Sequence, residues 1–361
     1  MATKDSNLSF YIEKLIHKSD LSLEEAKQAM NIIMSEKAPE SQKAAFLTAL
    51  QAKGAATEEI ASFASTIREL AKPVELGDFK KDKVLIDTCG TGGGAVETFN
   101  ISTTIMFILA ASGITVVKHG NRAITSKCGS ADVLEELGVN ITMEPPKVIE
   151  CLSEIGIAFL FAPLYHGAFR NIQKVRREIG IPTVFNIIGP LVNPAFASSQ
   201  KQGIKMAQVL GVNNSGLVKK MIEVLKILNL SRAMVVYGQD QESRFGMDEI
   251  STVGDTIISE LTDSGEIKEY KINPRDFGIK PAKPADLIGG TAKENARILR
   301  DVLAAKEKGP KRDIVLLNAA AGLYLGARVN DLEEGIKAAA ECIDSGSALK
   351  KLESLCQLSQ T

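Results

Sequence analysis

Four of the five positions from 90 to 94 are glycine: Gly90, Gly92, Gly93 and Gly94, with Thr91 among them. They follow a short apolar run ending in an acid, Val84-Leu85-Ile86-Asp87, which suits a buried strand. A loop stripped of side chains presents backbone N–H groups that can close on an anion. Thr98, Asn100, Ser102 and Thr103 come next, where the apolar stretch Ile101 to Ser112 begins a helix. Hydroxyls and an amide thus meet the positive end of a helix dipole, which is the chemistry of phosphate binding. The spacing fits neither G-x-G-x-x-G nor a nucleotide loop with Gly-Lys-Ser/Thr. A glycine-rich turn with no ligand is the bland alternative.

A second stretch makes the bland reading harder to hold. Lys118-His119-Gly120-Asn121-Arg122 follows the β-branched run Ile114 to Val117 and leads to Thr125-Ser126-Lys127-Cys128-Gly129-Ser130-Ala131-Asp132. Strand, basic and hydroxyl-rich loop, then helix: the first site's arrangement repeats within about one βα unit. A third region runs from Phe161 to Ala195 and holds Tyr165, His166, Arg176 and Pro190. Its prolines and glycines force an irregular path there, as in a hinge or cavity wall. A fourth, Gly246 to Ser251, carries the adjacent acids Asp248 and Glu249. Taken singly, these are bland features: a solvated acidic pair, an exposed Arg176-Arg177 helix face, structural histidines. Their combination is what carries weight.

The elements that must position these residues fall into two groups. From Phe10 to Ala71 the periodicity is helical, with a capping box at Ser22–Glu25, a start at Pro39, a stop at Gly54 and a cap at Thr57. Four short helices make a small bundle with no chemistry of its own. Pro73 to Lys83 reads as a linker. From Val84 onward strands and helices alternate, which argues for a mostly parallel sheet wrapped by helices. Val139–Thr142, Ile157–Phe161, Thr183–Asn186 and Ala233–Tyr237 are strand candidates, Thr256 to Ile272 is a hairpin around Ser264-Gly265, and Lys201 to Ala207 reads as an insertion. The expected class is α/β: a small helical domain over residues 1–78, joined by about 186–212, and an α/β domain over 79–361.

Composition bounds the setting. The 361 residues carry a net charge of −1, which argues against a nucleic-acid partner. Five cysteines without paired spacing suit a reducing cytosol, and Cys89 and Cys128 read as small buried thiols. No stretch is long enough for a membrane span, and Met1 to Leu8 is too polar for a signal peptide. A cytoplasmic protein is expected.

Residues 90–103 and 118–138 together resemble the anthranilate phosphoribosyltransferase family, whose motifs are G-T-G-G-D, T-x-N-x-S-T and K-H-G-N-R-x-x-x-x-x-x-G-S-A-D-x-L-E-x-L-G. The resemblance extends through Phe161–Arg170, Val175–Gly180, Phe185–Pro194 and Gly246–Ser251, from about Ser9 to about Leu352. Gly94 stands where the family usually has Asp, Gly167 for Pro, Phe169 for Met and Pro182 for Arg. The resemblance implies a nucleoside phosphorylase/phosphoribosyltransferase-like fold of class III. It implies transfer of phosphoribose from 5-phosphoribosyl-1-pyrophosphate to the amine of anthranilate, in tryptophan synthesis, by a dimer joined through the N-terminal helices. The donor falls to Gly90, Thr91, Gly92, Gly93, Thr98, Asn100, Ser102, Thr103, Lys118 and Ser130. Mg²⁺ falls to Ser102, Asp248 and Glu249. Anthranilate falls to Gly90, His119, Asn121, Tyr165, His166, Arg176 and Pro190, with Arg176 as the fork for its carboxylate. No nucleophile or general base is assigned, since an oxocarbenium-like transition state needs positioning and electrostatics.

Two other readings share the fold. A pyrimidine nucleoside phosphorylase-like enzyme would share the Lys-His phosphate loop but not the G-S-A-D and F-N-x-x-G-P-L-x-N-P segments. A non-enzymatic nucleic-acid-binding relative would be basic and would lack His119 and Arg176.

Overall fold

Four helices, Ser9–Ile16, Leu23–Met34, Glu40–Lys53 and Thr57–Leu70, open a computed structural model that describes residues 7–76, 84–123, 127–240 and 246–360. Thr125, Ser126 and the later part of the 73–83 linker lie outside those residues. The capping box forms: Ser22 Oγ accepts from Glu25 N at 3.2 Å, and the Glu25 carboxylate accepts from Ser22 N at 2.8 Å. Gly54 ends the third helix at φ +84°. The fourth is capped one residue earlier than expected, at Ala56, whose side chain has no oxygen to offer. Only the other half of a capping box forms: the Glu59 carboxylate reaches back to accept from Ala56 N at 2.7 Å.

The sheet is built from β1 (Val84–Gly90), β2 (Thr115–Gly120), β3 (Ile157–Phe161), β4 (Lys205–Gly211), β5 (Arg232–Gln239), β6 (Gly246–Met247), β7 (Thr256–Leu261) and β8 (Ile267–Ile272). Its order is β3-β2-β1-β4-β5-β7-β8, with β6 paired to β5. The first five are parallel, and β7, β8 and β6 add antiparallel edges. Two strand expectations fail for local reasons. At Val139–Thr142 the Asn140 side chain accepts from Thr142 N at 3.0 Å, folding the chain into a turn. At Thr183–Asn186 the Asn186 carboxamide accepts from Thr183 N at 3.0 Å and starts the short helix Phe185–Ile188.

The supposed insertion at 201–207 runs from the end of the Pro194–Gln202 helix into β4, which is central to the sheet. Arg68 of the fourth helix donates from Nε to Leu191 O at 2.6 Å, and Val74 N, just after that helix, to Ser198 Oγ at 3.1 Å. Residues 205–211 pair with β1 and β5 in the sheet.

Strand order reverses direction between β1 and β4. In open parallel sheets such a reversal leaves a crevice at the carboxyl ends of the two strands, where ligands bind. Behind it lies the Ile101–Ala111 helix, buried along nearly its whole length and therefore apolar on all sides. Among the described residues no helix is long and apolar enough to cross a membrane.

Candidate active site

Gly90 ends β1 and is the register partner of Gly211, which ends β4. Both must be glycine for one reason. A Cβ on Gly90 would lie 2.0 Å from Asp248 Oδ2, and one on Gly211 would lie 1.7 Å from Asp248 O. The two bare strand ends let the 246–249 segment cross the crevice. Beyond them, Gly92 and Gly93 take φ of +71° and +73°, while Gly94 does not enter the left-handed region. Gly92 N donates to Asp248 Oδ2 at 2.8 Å, and Asn213 Nδ2 donates to Gly92 O at 2.7 Å. Asn213 N also donates to Thr91 Oγ1 at 3.3 Å. The loop is tied at both ends before any ligand arrives.

Lys118 enters this crevice from β2. Its Nζ donates to Thr88 O and, at 3.2 Å, to Ser102 Oγ, and only 2% of the residue is exposed. Burial lowers its pKa, and the charge of Asp87 opposes that. Ser102 lies in the first turn of the buried helix, with Thr103 fully buried beside it. Asn100 is held by Asn295, whose Nδ2 donates to its Oδ1 at 2.9 Å, and donates in turn to Cys128 O at 3.3 Å. Ser130 Oγ donates to Asn121 O at 3.4 Å. Thr98 is paired through its backbone with Ile288, on the rim. The structure thus brings Gly90–Gly93, Ser102 and Lys118 together, with Asn100, Asn121 and Ser130 on an adjoining loop.

Asp248 and Glu249 face this loop from the β5 side. Ala95 N donates to Gly246 O at 2.9 Å, and Asn318 grips Ile250, donating to its O and accepting from its N, each at 2.9 Å. Burial first and the Asp248 charge second push the Glu249 carboxyl up to about 8, with Lys118 opposing. Asp248 is also raised, mainly by burial. Two crowded carboxylates whose charge is poorly solvated gain from a cation between them. Among the described residues no group of three or more His, Cys, Asp or Glu could enclose a metal. Two carboxylates beside a serine and a glycine-rich loop suit Mg²⁺, which keeps waters and phosphate oxygens in its shell. Gly94 sits against the pair: a Cβ there would meet Gly246 O and Met247 Cα at 3.3 Å and Asp248 Oδ1 at 3.5 Å. Glu97 is exposed and paired with Lys127 at 3.1 Å.

The next residue of β2 serves the opposite side. Side chains alternate along a strand, so Lys118 reaches Thr88 O and Ser102 while His119 turns to a row of rings. His119 and His166 stand edge to face at 5.1 Å, His166 and Phe169 at 5.6 Å, Phe169 and Phe185 at 5.7 Å. The row ends where Arg176 Cζ lies 5.2 Å from the Phe185 centroid. Arg176 is half-buried, and burial lowers its pKa with no compensating acid. Burial holds His119 well below its ordinary value and His166 down to about 4, so both rings are neutral near pH 7. Each has a buried Nε2 with no hydrogen-bond partner. Tyr165 is buried next to His166, its hydroxyl pushed up to about 12 by desolvation. Pro190 is buried, and its carbonyl accepts from Gln208 Nε2 at 2.7 Å.

Several residues that shape the site escaped sequence reading. Asn193 Nδ2 donates to Asp87 Oδ2 at 3.0 Å and Val117 O at 2.8 Å, fixing the wall that carries Pro190. Gln208, Asn213, Asn295, Asn318 and Phe185 do comparable work. Asn193 and Phe185 had a signal through the F-N-x-x-G-P-L-x-N-P segment, and Asn295 and Asn318 through the Glu294-Asn295-Ala296 and Leu317-Asn318-Ala319-Ala320 segments, which also follow the family; Gln208 and Asn213 had none. A buried amide is indistinguishable in one sequence from a surface one.

Comparison with known proteins is consistent across sequence and structure. The glycosyl transferase family a/b domain matches residues 82–349, and that family's helical bundle domain matches residues 10–71. The chain is 51% identical over 348 residues to an anthranilate phosphoribosyltransferase of Methanocorpusculum labreanum, covering 96% of this chain and 97% of that one. It is 46% identical over 349 residues to that of Petrotoga mobilis, covering 97% and 96%. Among solved structures, the anthranilate phosphoribosyltransferase of Thermus thermophilus superposes with TM-score 0.86 at 36% identity, over 97% of this chain and 99% of that one. The Saccharomyces cerevisiae enzyme in complex with PRPP and Mg gives 0.84 at 28% identity, over 98% of each.

Proposed function

We propose that this chain, which belongs to the anthranilate phosphoribosyltransferase family, transfers the phosphoribosyl group of 5-phosphoribosyl-1-pyrophosphate to the amino group of anthranilate. The products are N-(5-phosphoribosyl)anthranilate and pyrophosphate, formed in tryptophan biosynthesis. One observation carries the reading. Consecutive residues of β2 face two different ways: Lys118 reaches Ser102 and the Thr88 carbonyl just before the glycine loop, while His119 starts the row of rings that ends in Arg176. A polyanion and an aromatic carboxylate held on either side of one strand end is what this transfer requires.

Gly90, Thr91, Gly92, Gly93, Asn100, Ser102 and Lys118 hold the donor's phosphates, with Thr98, Thr103 and Ser130 around them. Asp248, Glu249 and Ser102 would hold Mg²⁺, which neutralises charge developing on the leaving pyrophosphate. Gly90, His119, Asn121, Tyr165, His166 and Pro190 line the acceptor slot, and Arg176 takes the carboxylate. The C1′–O bond breaks as C1′–N forms. A slot of neutral rings turns the amine toward C1′ and keeps water, the competing nucleophile, away. No side chain needs to attack.

A homodimer joined through the N-terminal bundle is part of the same proposal, supported by Phe10 at 58% and Ile16 at 64% exposure on the first helix. A cytoplasmic setting fits its five free thiols. The direct test incubates the purified protein with 5-phosphoribosyl-1-pyrophosphate, Mg²⁺ and anthranilate. Anthranilate fluorescence should decay only when all three are present. A steady signal at high enzyme concentration would overturn the proposal.

A further inference from the structure

A half-buried guanidinium needs something to fix its plane. Arg176 leaves the Arg170–Ile179 helix in its last turn, and no ion pair holds it among the described residues. Its side chain instead lies over Phe185, with Cζ 5.2 Å from the ring centroid. Phe185 is only 4% exposed. The Phe169 ring packs edge-on against it at 5.7 Å and an interplanar angle of 72°, which buttresses the Phe185 ring on that side.

We infer that Phe185 is a positioning residue for the acceptor: its ring holds the Arg176 guanidinium so that the N–H fork stays free for a substrate carboxylate. The inference rests on the reading of Arg176 as the acceptor's anchor. The physical reason for a ring at this position is competition. An Asp or Glu would orient the guanidinium equally well, but it would occupy the same N–H donors and neutralise the charge the substrate needs. A π face attracts the cation through its quadrupole and uses no donor. It also offers no hydrogen bond in place of water, so the guanidinium remains incompletely solvated until a carboxylate arrives. Phe185 therefore sets affinity for an anionic acceptor without touching the donor or the reacting atoms.

Graded fluorination tests this without altering shape. Phe185 is replaced, by nonsense suppression in the full chain, with 4-fluoro-, 3,5-difluoro- and pentafluorophenylalanine, which withdraw electron density from the ring face in steps. The anthranilate KM should rise stepwise, reaching about tenfold for the last, as expected of a partly desolvated cation–π contact. The KM for 5-phosphoribosyl-1-pyrophosphate and the Tm should stay near those of the parent. Phe185→Leu should raise the anthranilate KM at least as far. A flat anthranilate KM across the fluorinated series overturns the inference. Arg176→Ala separates the two levels of the argument. If it leaves the anthranilate KM unchanged, the anchor reading fails and the inference with it; if it raises that KM while the series is flat, only the role of Phe185 is lost.

Discussion

At the scale of single residues, Gly94 is one of four positions that differ from the resembled motifs, and its neighbours indicate what a carboxylate there would change. Asp248 Oδ1 would be 3.5 Å from a Cβ at this position, so a carboxylate here would crowd the acidic pair. Glu97 does not stand in for it, being engaged by Lys127. Gly94→Asp should leave the fold intact, because the closest contacts of the new Cβ are only tight. It should shift the Mg²⁺ optimum and weaken product inhibition by pyrophosphate. A parental Mg²⁺ profile together with a parental pyrophosphate Ki would refute this. His166 supplies a second residue-scale expectation. Burial holds it down to about 4 from 6.5. The unfolded chain therefore takes up that proton at a pH where the folded chain still refuses it. Stability is full above pH 6.5 and declines as the pH falls toward 4, by roughly 3 kcal/mol from this group. Urea unfolding across that window should show the decline, and His166→Gln should make it shallower. An equally steep decline in the variant would assign the effect elsewhere.

At the scale of elements, the acidic pair is positioned from outside its own segment. Asn318, on the buried Pro310–Leu325 helix, holds Ile250 by both its N–H and its carbonyl, while β6 joins the pair to β5. Asn318→Ala strips both hydrogen bonds from Ile250, and a third from Ile314 O, at a cost of about 1–3 kcal/mol for each buried group left unsatisfied. The Mg²⁺ concentration for half-maximal rate should rise, while the anthranilate KM changes little. A variant that is destabilised but keeps the parental Mg²⁺ titration would show that the pair is held by β6 alone. The bond between Asn295 and Asn100 follows the same principle on the other side of the crevice.

At the scale of the whole molecule, the bundle is fastened to the segment that carries the acceptor slot. Lys43 Nζ donates to Asn171 O at 2.9 Å, Asn171 Nδ2 to Met34 O at 2.8 Å, and Arg68 Nε to Leu191 O at 2.6 Å. The donor loop rides on the sheet. Asn193 and Gln208 tie the Pro190 wall to the same sheet, so the bundle side is the part left to shift, and closure of the cleft is the expected response to donor. Small-angle scattering should show compaction on adding 5-phosphoribosyl-1-pyrophosphate with Mg²⁺. Superimposable curves would mean the site is preformed.

The sequence by itself determined the helical bundle, the alternating strands from Val84 onward and the chemistry of four segments. Each of these is local: a capping box, a period, a run of glycines, a pair of acids. Only the tertiary structure decided that β4 lies beside β1, because Lys205–Gly211 carries no alternation or turn signal to mark a central strand buried on both faces. That placement turns Gly90 and Gly211 into a matched pair and makes room for Asp248, a residue 158 positions from Gly90 in the chain. Tertiary structure likewise gave Phe185, Gln208, Asn213 and Asn318 their roles. Burial and hydrogen-bond partners belong to positions in space, and a single chain of letters does not record them.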